Sequence, residues 1–483
     1  MSSMQGQNKT KANFYTLFVY SIGTIPVGIK NSLLGSFLLV YFNQVLGLSA
    51  KLAASAMAIA LIVDAISDPI VGAWSDRVKT RWGRRHPFIY LGILPFSIFY
   101  YLILQFPEDL SETSVFYRLL FLMIGLRVSM TLYEVPRVAL APELTKDYDQ
   151  RNQISGLSMA FGWIGGAGLA AIAYAFFFIE TEEYKGASAF LRPEAFQQLA
   201  LFGGLSIFIS SIISNVSLHS YIPNLHKPEV SSNVQPFFSQ ILETLSNRSW
   251  VVLFISGCLY ALLIGLTTNA GMYNNIYFWQ WTPSDIAIFP LSAAIGVILV
   301  SMFSGIVAKG KNKKFITIGL FLTTILITPL PLVLRLLDPY FSITLFPPNG
   351  TDALWWILLI HYVVETCLGT LGFIFITSMA MEIVEDVQTK TGRREEGLLG
   401  TANTFVQKLV GAGGVLISGF IISFVGLDNP GTIESMQEPI TKYATILVFL
   451  AFTIPVISTF LLLFYNIDRE THSDNINELG YSE

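Results

Sequence analysis

Charged residues are scarce in this 483-residue chain. Asp, Glu, Lys and Arg make up 13% of it, which is roughly half the share in soluble proteins. Hydrophobic residues make up 53%, and the mean hydropathy is +0.57. This composition excludes an ordinary soluble domain and predicts a polytopic membrane protein. The net charge of −4 gives no indication of nucleic-acid binding.

Cysteine and catalytic motifs are scarce as well. Cys258 and Cys367 both fall in apolar segments, so neither a disulfide nor a metal framework is predicted. The chain lacks a phosphate loop of the Gly-x4-Gly-Lys-Ser/Thr type, which argues against ATP as the driving force. The few long polar loops suggest no Ser–His–Asp or Cys–His constellation. We therefore expect no enzyme and no cofactor.

Apolar segments of spanning length divide the chain into two halves. The pattern predicts an all-α membrane protein with twelve transmembrane helices, in an N-terminal bundle (1–218) and a C-terminal bundle (250–483). A polar, proline-containing cytoplasmic linker (219–249) joins them. The predicted segments are Phe14–Phe42, Leu52–Trp74, Phe88–Leu104, Val115–Leu140, Ile154–Ile179, Leu199–Leu218, Val251–Tyr273, Ile286–Val307, Phe315–Leu337, Leu354–Met381, Leu398–Val425 and Ala444–Tyr465.

The positions of Lys and Arg predict the orientation in the membrane. Most of the 29 Lys and Arg residues fall on the side that carries both termini, and cytoplasmic loops are enriched in these residues. We expect both termini to be cytoplasmic in a multi-pass protein of the cell (inner or plasma) membrane.

The two halves repeat a pattern of polar loops and glycine-rich spans. A-P-E-L-T-K-D follows the fourth segment from Ala141, and A-M-E-I-V-E-D follows the tenth from Ala380. Each is predicted to be a cytoplasmic loop leading into a glycine-rich span, and repeated halves are common in transporters. The basic loop after the second segment has a weak counterpart, Ala308-Lys-Gly-Lys-Asn-Lys-Lys, after the eighth.

Two acids interrupt the second apolar segment. Asp64 and Asp68 are spaced i, i+4, so they share one face of a helix. Pro69 leaves the carbonyl of Ala65 without its helical donor. Acids at membrane depth indicate function, and clustered oxygens suit a hard cation or a proton. The alternative is a neutralised pair that only bonds neighbouring helices.

The fourth segment carries a polar stripe of its own. Arg127, Thr131 and Glu134 recur at helical spacing on one face. One interpretation directs Thr131 and Glu134 at the two aspartates. The other pairs Glu134 with Arg137 inside the helix. The sequence leaves both open.

Four bases lie at a similar depth to these acids. Lys30 and Lys408 fall in the first and eleventh segments, and Arg127 and Arg137 in the fourth. Unpaired buried charges are unfavourable, so the bases and acids are expected to form a charge network. Alternatively, Lys30 or Lys408 extends to a membrane interface.

Two further groups of polar residues lie in the second half. Asn269 and Tyr273 in the seventh segment would suit a polar organic solute, or would bond neighbouring helices. His361 and Glu365 are spaced i, i+4, but no third ligand is evident, so the pair is weak support for a metal site.

Several of these motifs together resemble one known family. D-A-I-S-D-P at Asp64–Pro69, R-W-G-R-R-H-P at Arg81–Pro87, Y-E-V-P at Tyr133–Pro136 and G-R-R-E-E-G at Gly392–Gly397 resemble the glycoside–pentoside–hexuronide:cation symporters. These form a branch of the major facilitator superfamily, and the resemblance extends along the whole chain.

The resemblance implies roles for named residues. Its cation site would comprise Asp64, Asp68, Thr131 and Glu134, with Lys408 as the nearby base; if the ion is Na⁺, the three acids would be its metal ligands. The solute would bind near Lys30, Arg127, Glu134, Asn269 and Tyr273. A loop that locks the cytoplasmic face would carry Asp76, Arg77, Arg81, Arg84 and Arg85.

The function expected from residues and resemblance together is secondary active symport. A small organic solute, a sugar or glycoside, would be coupled to Na⁺ or H⁺ by alternating access. We expect a monomer in the lipid bilayer with no nucleic-acid partner. The alternatives are a symporter of lysolipid or another amphiphile with the same fold, and an uncoupled membrane protein such as a scramblase or a sensor.

Overall fold

The computed structural model describes residues 12–78, 80–107, 110–145, 147–224, 248–309, 311–391, 396–428, 431–467 and 469–478. Nearly all regular structure in these ranges is helical. Their one β-type pairing is an isolated bridge between Thr80 and Gly83.

Within the described ranges, twelve main helical segments and a short terminal helix follow one another along the chain. Several are compound: α1 contains π-helical turns, α7 is interrupted after Thr267, and α9 is interrupted after Ile327. The bounds are α1 Phe14–Val45, α2 Ala50–Arg77, α3 His86–Leu102, α4 Glu112–Leu144, α5 Tyr148–Ile172, α6 Pro193–Ser217, α7 Arg248–Phe278, α8 Phe289–Ala308, α9 Lys313–Tyr340, α10 Asp352–Thr391, α11 Glu396–Val425, α12 Gln437–Leu462 and α13 Arg469–Glu478.

Helix length and composition confirm the predicted all-α membrane class. Within the described ranges, 11 helical spans are long and apolar enough to cross a membrane. The shorter apolar helix α3 takes the place of the predicted third span. The count of twelve transmembrane helices therefore stays a prediction.

The backbone divides into two compact units. The first comprises Met1–Val230 with two later pieces, Thr282–Ala294 and Asp428–Pro430, and the second comprises the remainder. Most of the predicted linker, 225–247, lies outside the described residues. The predicted halves of 1–218 and 250–483 thus stay a prediction about sequence order.

The two polar stretches predicted as cytoplasmic loops are largely helical among the described residues. The prediction that they are loops was therefore wrong. Helix α4 continues to Leu144, α5 begins at Tyr148, and α10 continues to Thr391. The Asp147 carboxylate accepts a hydrogen bond of 3.0 Å from the Gln150 N–H at the start of α5. Polar residues extend a helix beyond the membrane when such a cap satisfies its end.

Glycines allow two pairs of helices to approach at backbone distance, as the repeated pattern predicted. A Cβ added at Gly28 in α1 would lie 1.9 Å from the Gly162 carbonyl oxygen of α5. In the second unit, a Cβ at Gly265 in α7 would lie 2.6 Å from the Gly411 carbonyl oxygen of α11. Both contacts exclude any side chain, which is how small residues bring membrane helices together.

An aspartate from a distant part of the sequence caps α2 inside the first unit. Ser49 precedes the helix but makes no side-chain capping bond. Instead the Asp428 carboxylate accepts the Ala50 N–H at 2.7 Å and the Asn43 amide at 3.2 Å. A carboxylate is a favourable group at a helix N-terminus because of the helix dipole.

Candidate functional site

Helix α2 carries the two aspartates on its inner face. It continues as a helix through Pro69 from Ala50 to Arg77. The Asp64 side chain is 0% exposed, whereas Asp68 one turn later is half-buried. A carboxylate in this position must be neutralised or compensated by nearby groups.

Thr131 of α4 lies between the two carboxylates. Its hydroxyl oxygen is 3.1 Å from Asp64 Oδ1 and 3.0 Å from Asp68 Oδ1. A threonine hydroxyl has one proton, so it can donate to only one of the two carboxylates at a time. The arrangement gathers oxygens from two helices around one point, as a small cation or a proton requires.

Ser67 joins this group, although the sequence analysis did not include it. Its hydroxyl is 3.0 Å from the Thr131 hydroxyl and 3.1 Å from the Asp64 carbonyl oxygen, to which it donates. The D-A-I-S-D-P motif held the signal, because Ser67 is three residues after Asp64 and shares its face of the helix.

Arg127 supplies a positive charge to the same cluster. Its Nη1 lies 3.3 Å from Asp64 Oδ2, and the Arg127 side chain is 12% exposed. Arg127 is one turn before Thr131 on α4, so both reach α2 from one face, as the predicted stripe required. The buried aspartate thus has both a charged and a neutral donor.

The structure does not bring Glu134 into the hydrogen-bonded cluster. Glu134 is half-buried and makes no hydrogen bond or ion pair with any residue that the structure describes. Within the described ranges, no group of three or more His, Cys, Asp or Glu residues is placed to hold a metal ion. Glu134 as a ligand beside the two aspartates remains a prediction.

Arg137 is directed away from Glu134, so the predicted pair inside α4 does not form here. Its guanidinium donates to the Tyr20 carbonyl of α1 and lies 4.4 Å from the centroid of the Tyr20 ring. The Tyr20 hydroxyl in turn donates to the Arg137 carbonyl at 3.1 Å. Arg137 is 1% exposed, so this buried contact ties α4 to α1.

The two lysines of the predicted network occupy different units. Lys30 is 5% exposed in α1, and Lys408 is half-buried in α11 of the second unit. Each engages in an interaction of its own. The predicted role of Lys408 beside the acids of α2 stays a prediction.

The residues predicted to contact solute in α7 are buried. Asn269 is 4% exposed and Tyr273 is 0% exposed, with its ring 6.2 Å from that of Tyr443 in an edge-to-face arrangement. The neighbouring hydroxyls of Thr267 and Thr268 bond carbonyls of their own helix at 2.9 and 2.6 Å. Both threonine hydroxyls therefore donate their hydrogen bonds within α7.

The basic loop after α2 is organised around one acid. Glu143 accepts from Arg84 and lies 2.8 Å from Arg85 through the same oxygen. Asp76 lies farther away, at 3.6 Å from Arg84 and 3.4 Å from Arg85. Burial lowers the pKa of the Arg85 guanidinium while Glu143 opposes that shift, and a guanidinium stays protonated at neutral pH.

The other two predicted loop residues lie at the surface. Arg77 ends α2 and is exposed, and exposed Arg81 lies 5.3 Å from the Trp82 ring centroid. Glu143 belongs to the A-P-E-L motif, but no role was predicted for it. Glu143 and Glu382 occupy the same position in the repeated A-P-E-L and A-M-E-I motifs, and that repetition could have indicated a role for Glu143.

The second unit repeats this ion pair. Glu382 of the A-M-E-I motif lies 2.8 Å from Lys313, which belongs to the second basic loop and begins α9. Tyr465 donates to the other Glu382 oxygen at 3.3 Å. The equivalent placement of Glu143 and Glu382 in the two motifs shows that the sequence repeat is also a structural repeat.

Comparison with known proteins agrees with this architecture. The family model described as MFS/sugar transport protein matches residues 19–469. The structure is similar to a D-xylose-proton symporter with a TM-score of 0.60 at 10% identity, covering 92% of this chain and 97% of that one. At this identity the structural likeness concerns the fold alone.

Three sequence relatives are named symporters or transporters. An uncharacterized symporter of Synechocystis sp. is 35% identical over 175 residues, which are 35% of this chain and 32% of that protein. The isoprimeverose transporter of Lactiplantibacillus pentosus is 22% identical over 94% of this chain and 88% of its own length. The sodium-dependent lysophosphatidylcholine symporter 1 of Gallus gallus is 23% identical over 97% and 89%.

The matched length of the family model, the helical fold and the motifs on α2 and α4 agree with one another. The chain belongs to the MFS/sugar transport protein family, within the glycoside–pentoside–hexuronide:cation symporters of the major facilitator superfamily.

Proposed function

We propose that this protein is a cation-coupled symporter of a sugar or glycoside that works by alternating access. One observation carries the proposal: the carboxylates of buried Asp64 and half-buried Asp68 both lie within hydrogen-bonding distance of the Thr131 hydroxyl, on helices long and apolar enough to span a membrane. One relative that matches 83% of this chain is named a glycoside/cation symporter, and another that matches 94% is named an isoprimeverose transporter. Both names support the substrate class.

The coupling follows from the charge of this site. Arg127 offsets one of the two aspartate charges. In the empty state Lys408 would offset the other, and a bound Na⁺ or H⁺ would take its place. A closed, dry state is more favourable for a neutral site, because desolvating an uncompensated charge is unfavourable. Cation binding would therefore favour closure around the solute, and by linkage solute and cation would each raise the other's affinity.

The proposal also includes the orientation of the protein in the membrane and its solute contacts. Both termini and the Asp76–Arg85 loop are cytoplasmic in a monomer of the cell membrane, with Glu143 holding Arg84 and Arg85 when that face is closed. The solute contacts Lys30, Arg127, Glu134, Asn269 or Tyr273, and Lys408 balances the acids of α2. The inward Lys/Arg bias supports the orientation.

A second candidate substrate class is a lysolipid. Its support is the relative from Gallus gallus, which matches 97% of this chain and is named a sodium-dependent lysophosphatidylcholine symporter. The same cation site would serve, so the two candidates differ only in the solute.

The test is uptake by purified protein in proteoliposomes. A radiolabelled xylose-containing disaccharide and lysophosphatidylcholine are each offered with an inward Na⁺ gradient, an inward pH gradient or neither. We expect accumulation of one solute that requires one of the two gradients. Accumulation that ignores both gradients, or none of either solute, contradicts the proposal.

Asp68→Asn sharpens this test, because it keeps the side-chain volume and removes one charge. We expect the variant to insert normally and to lose about tenfold or more in cation-stimulated uptake, since a charge-assisted bond contributes about 1.5–3 kcal/mol. Glu438→Gln, which changes an exposed carboxylate paired with Lys442, is the matched control. Parental accumulation by Asp68→Asn removes Asp68 from coupling.

A further inference from the structure

A proline in α9 leaves a backbone oxygen without its helical donor. Pro331 has no N–H, and the residue four positions before it is Ile327, where the first part of α9 ends. His361 of α10 meets this need, since its Nε2 lies 2.8 Å from the Ile327 carbonyl oxygen. A carbonyl can only accept, so Nε2 carries the proton.

This contact fixes what the other ring nitrogen does. In the neutral imidazole with Nε2 protonated, Nδ1 presents a lone pair. Nδ1 lies 3.9 Å from Oε2 of Glu365, one turn farther along α10. A lone pair and a carboxylate oxygen would face each other here unless one of the two holds a proton.

Other polar groups surround Glu365. Thr328, next to the interrupted turn of α9, lies close to the Glu365 carboxyl. The phenols of Tyr362 on α10 and Tyr260 on α7 lie close enough to interact with it electrostatically. The Glu365 side chain is 37% exposed and the His361 side chain is 16% exposed.

The described charged residues of α7 and α9 contact groups other than His361 and Glu365. On α9, Lys313 pairs with Glu382, Lys314 bonds the carbonyls of Leu463 and Tyr465, Arg335 bonds the Pro347 carbonyl and Asp338 accepts from the Leu345 N–H. Arg248 on α7 lies over the Phe464 ring. Lys408 is the charged residue of α11 among its described side chains.

We infer that His361 and Glu365 share one exchangeable proton and form a proton-binding site in the second unit. The proton resides on Nδ1, giving an imidazolium and a carboxylate, or on Oε2, giving a neutral imidazole and a carboxylic acid. Its release to water leaves the pair with a single negative charge. This site is separate from the aspartates of α2 and does not depend on the proposed transport function.

The test is spectroscopic and uses the full-length protein in nanodiscs. The chain has five histidines, so ¹⁵N-histidine labelling gives few ring signals, and His361→Gln assigns the one that disappears. Glutamine at 361 retains an N–H group for the Ile327 carbonyl. We expect the His361 ring to show the Nε2–H tautomer at high pH and to titrate as the pH falls.

The decisive comparison is with Glu365→Gln. If the proton is shared, this variant moves the midpoint of the His361 titration by about one pH unit or more, and removes an infrared carboxylic-acid band that titrates with the parental midpoint. Glu438→Gln, the exposed control on α12, leaves both signals unchanged. An unmoved His361 midpoint in Glu365→Gln overturns the inference, as does an Nδ1–H tautomer in the neutral parent. Should His361→Gln fail to fold, loss of the titrating infrared carboxylic-acid band in Glu365→Gln still decides, because that band needs no histidine assignment.

Discussion

The Arg127 guanidinium lies 3.3 Å from the Asp64 carboxylate, so α4 supplies one positive charge to the acids of α2. The guanidinium partly neutralises the negative charge that would attract a Na⁺ or H⁺ to this site. It also means that any ion bound between Asp64 and Asp68 shares its ligands with Arg127. The strength of ion binding at this site should therefore depend on residue 127 as well as on the acids.

Replacing Arg127 tests that relationship. Arg127→Gln removes one charged partner of the buried Asp64, and breaking such a pair typically destabilises by about 3–5 kcal/mol. We expect a lower melting temperature in sodium-free choline buffer and a larger stabilisation by Na⁺ than in the parent, because a bound ion stabilises the folded state. Arg127→Lys, which keeps the charge, should fall between the two. Equal melting of Arg127→Gln and parent with and without Na⁺ would contradict this view of the pair.

The cytoplasmic ion cluster offers a matched comparison of two acids. Glu143 is 9% exposed and contacts both Arg84 and Arg85, whereas Asp76 is 54% exposed and lies farther from each. Glu143→Gln should destabilise by about 2–5 kcal/mol, since it leaves buried guanidinium groups without their partner. Asp76→Asn should change stability by at most about 1 kcal/mol. Thermal melting of both variants decides, and equal effects would show that burial of Glu143 is unimportant.

The close helix contacts predict a strict requirement for glycine at particular positions. Gly28→Ala places a methyl group 1.9 Å from a backbone oxygen of α5, where no flexible side chain can yield. We expect little folded protein by size-exclusion chromatography of detergent extracts. Gly168→Ala on α5, where a Cβ meets open space, should behave like the parent. The second unit supplies its own pair, Gly265→Ala and Gly413→Ala, with the same contrast. Parental yields of Gly28→Ala would exclude the contact.

The orientation is checked by labelling from outside the cell. In a background with Cys258→Ala and Cys367→Ala, a membrane-impermeant maleimide should not modify Arg81→Cys in intact cells but should modify it after permeabilisation. Exposed Glu183→Cys, between α5 and α6, should be modified in intact cells. The reverse pattern would invert the topology that the Lys/Arg bias predicts.

Helical spacing was sufficient to predict which residues share a face. Asp64 with Asp68, and Arg127 with Thr131, are each spaced so that they point the same way, and the structure joins all four through the Thr131 hydroxyl and the Arg127 guanidinium. The apolar pattern likewise located the helices, because the bilayer requires long apolar helices. Its bounds are less exact, since α10 ends ten residues after Met381 and α12 begins seven residues before Ala444.

Spacing does not decide which of two available partners a long side chain selects. Arg137 is one turn from Glu134, yet it bonds the Tyr20 carbonyl on α1. That outcome depends on the packing of α1 against α4, which no local pattern records. The loops predicted after the fourth and tenth segments were wrong for another reason, because polar composition does not distinguish a loop from a helix that continues. The Asp147 cap of α5 is local and was readable from the sequence.

The cap that Asp428 provides to α2 has a consequence for experiments on fragments. Splitting the gene within the predicted linker would encode the helix start at Ala50 on one polypeptide and its capping carboxylate on the other. An isolated first fragment would expose the Ala50 N–H and the Asn43 amide to water or lipid. Such a fragment should fold less well than its long apolar helices suggest, and adding back a peptide that contains Asp428 should improve its recovery.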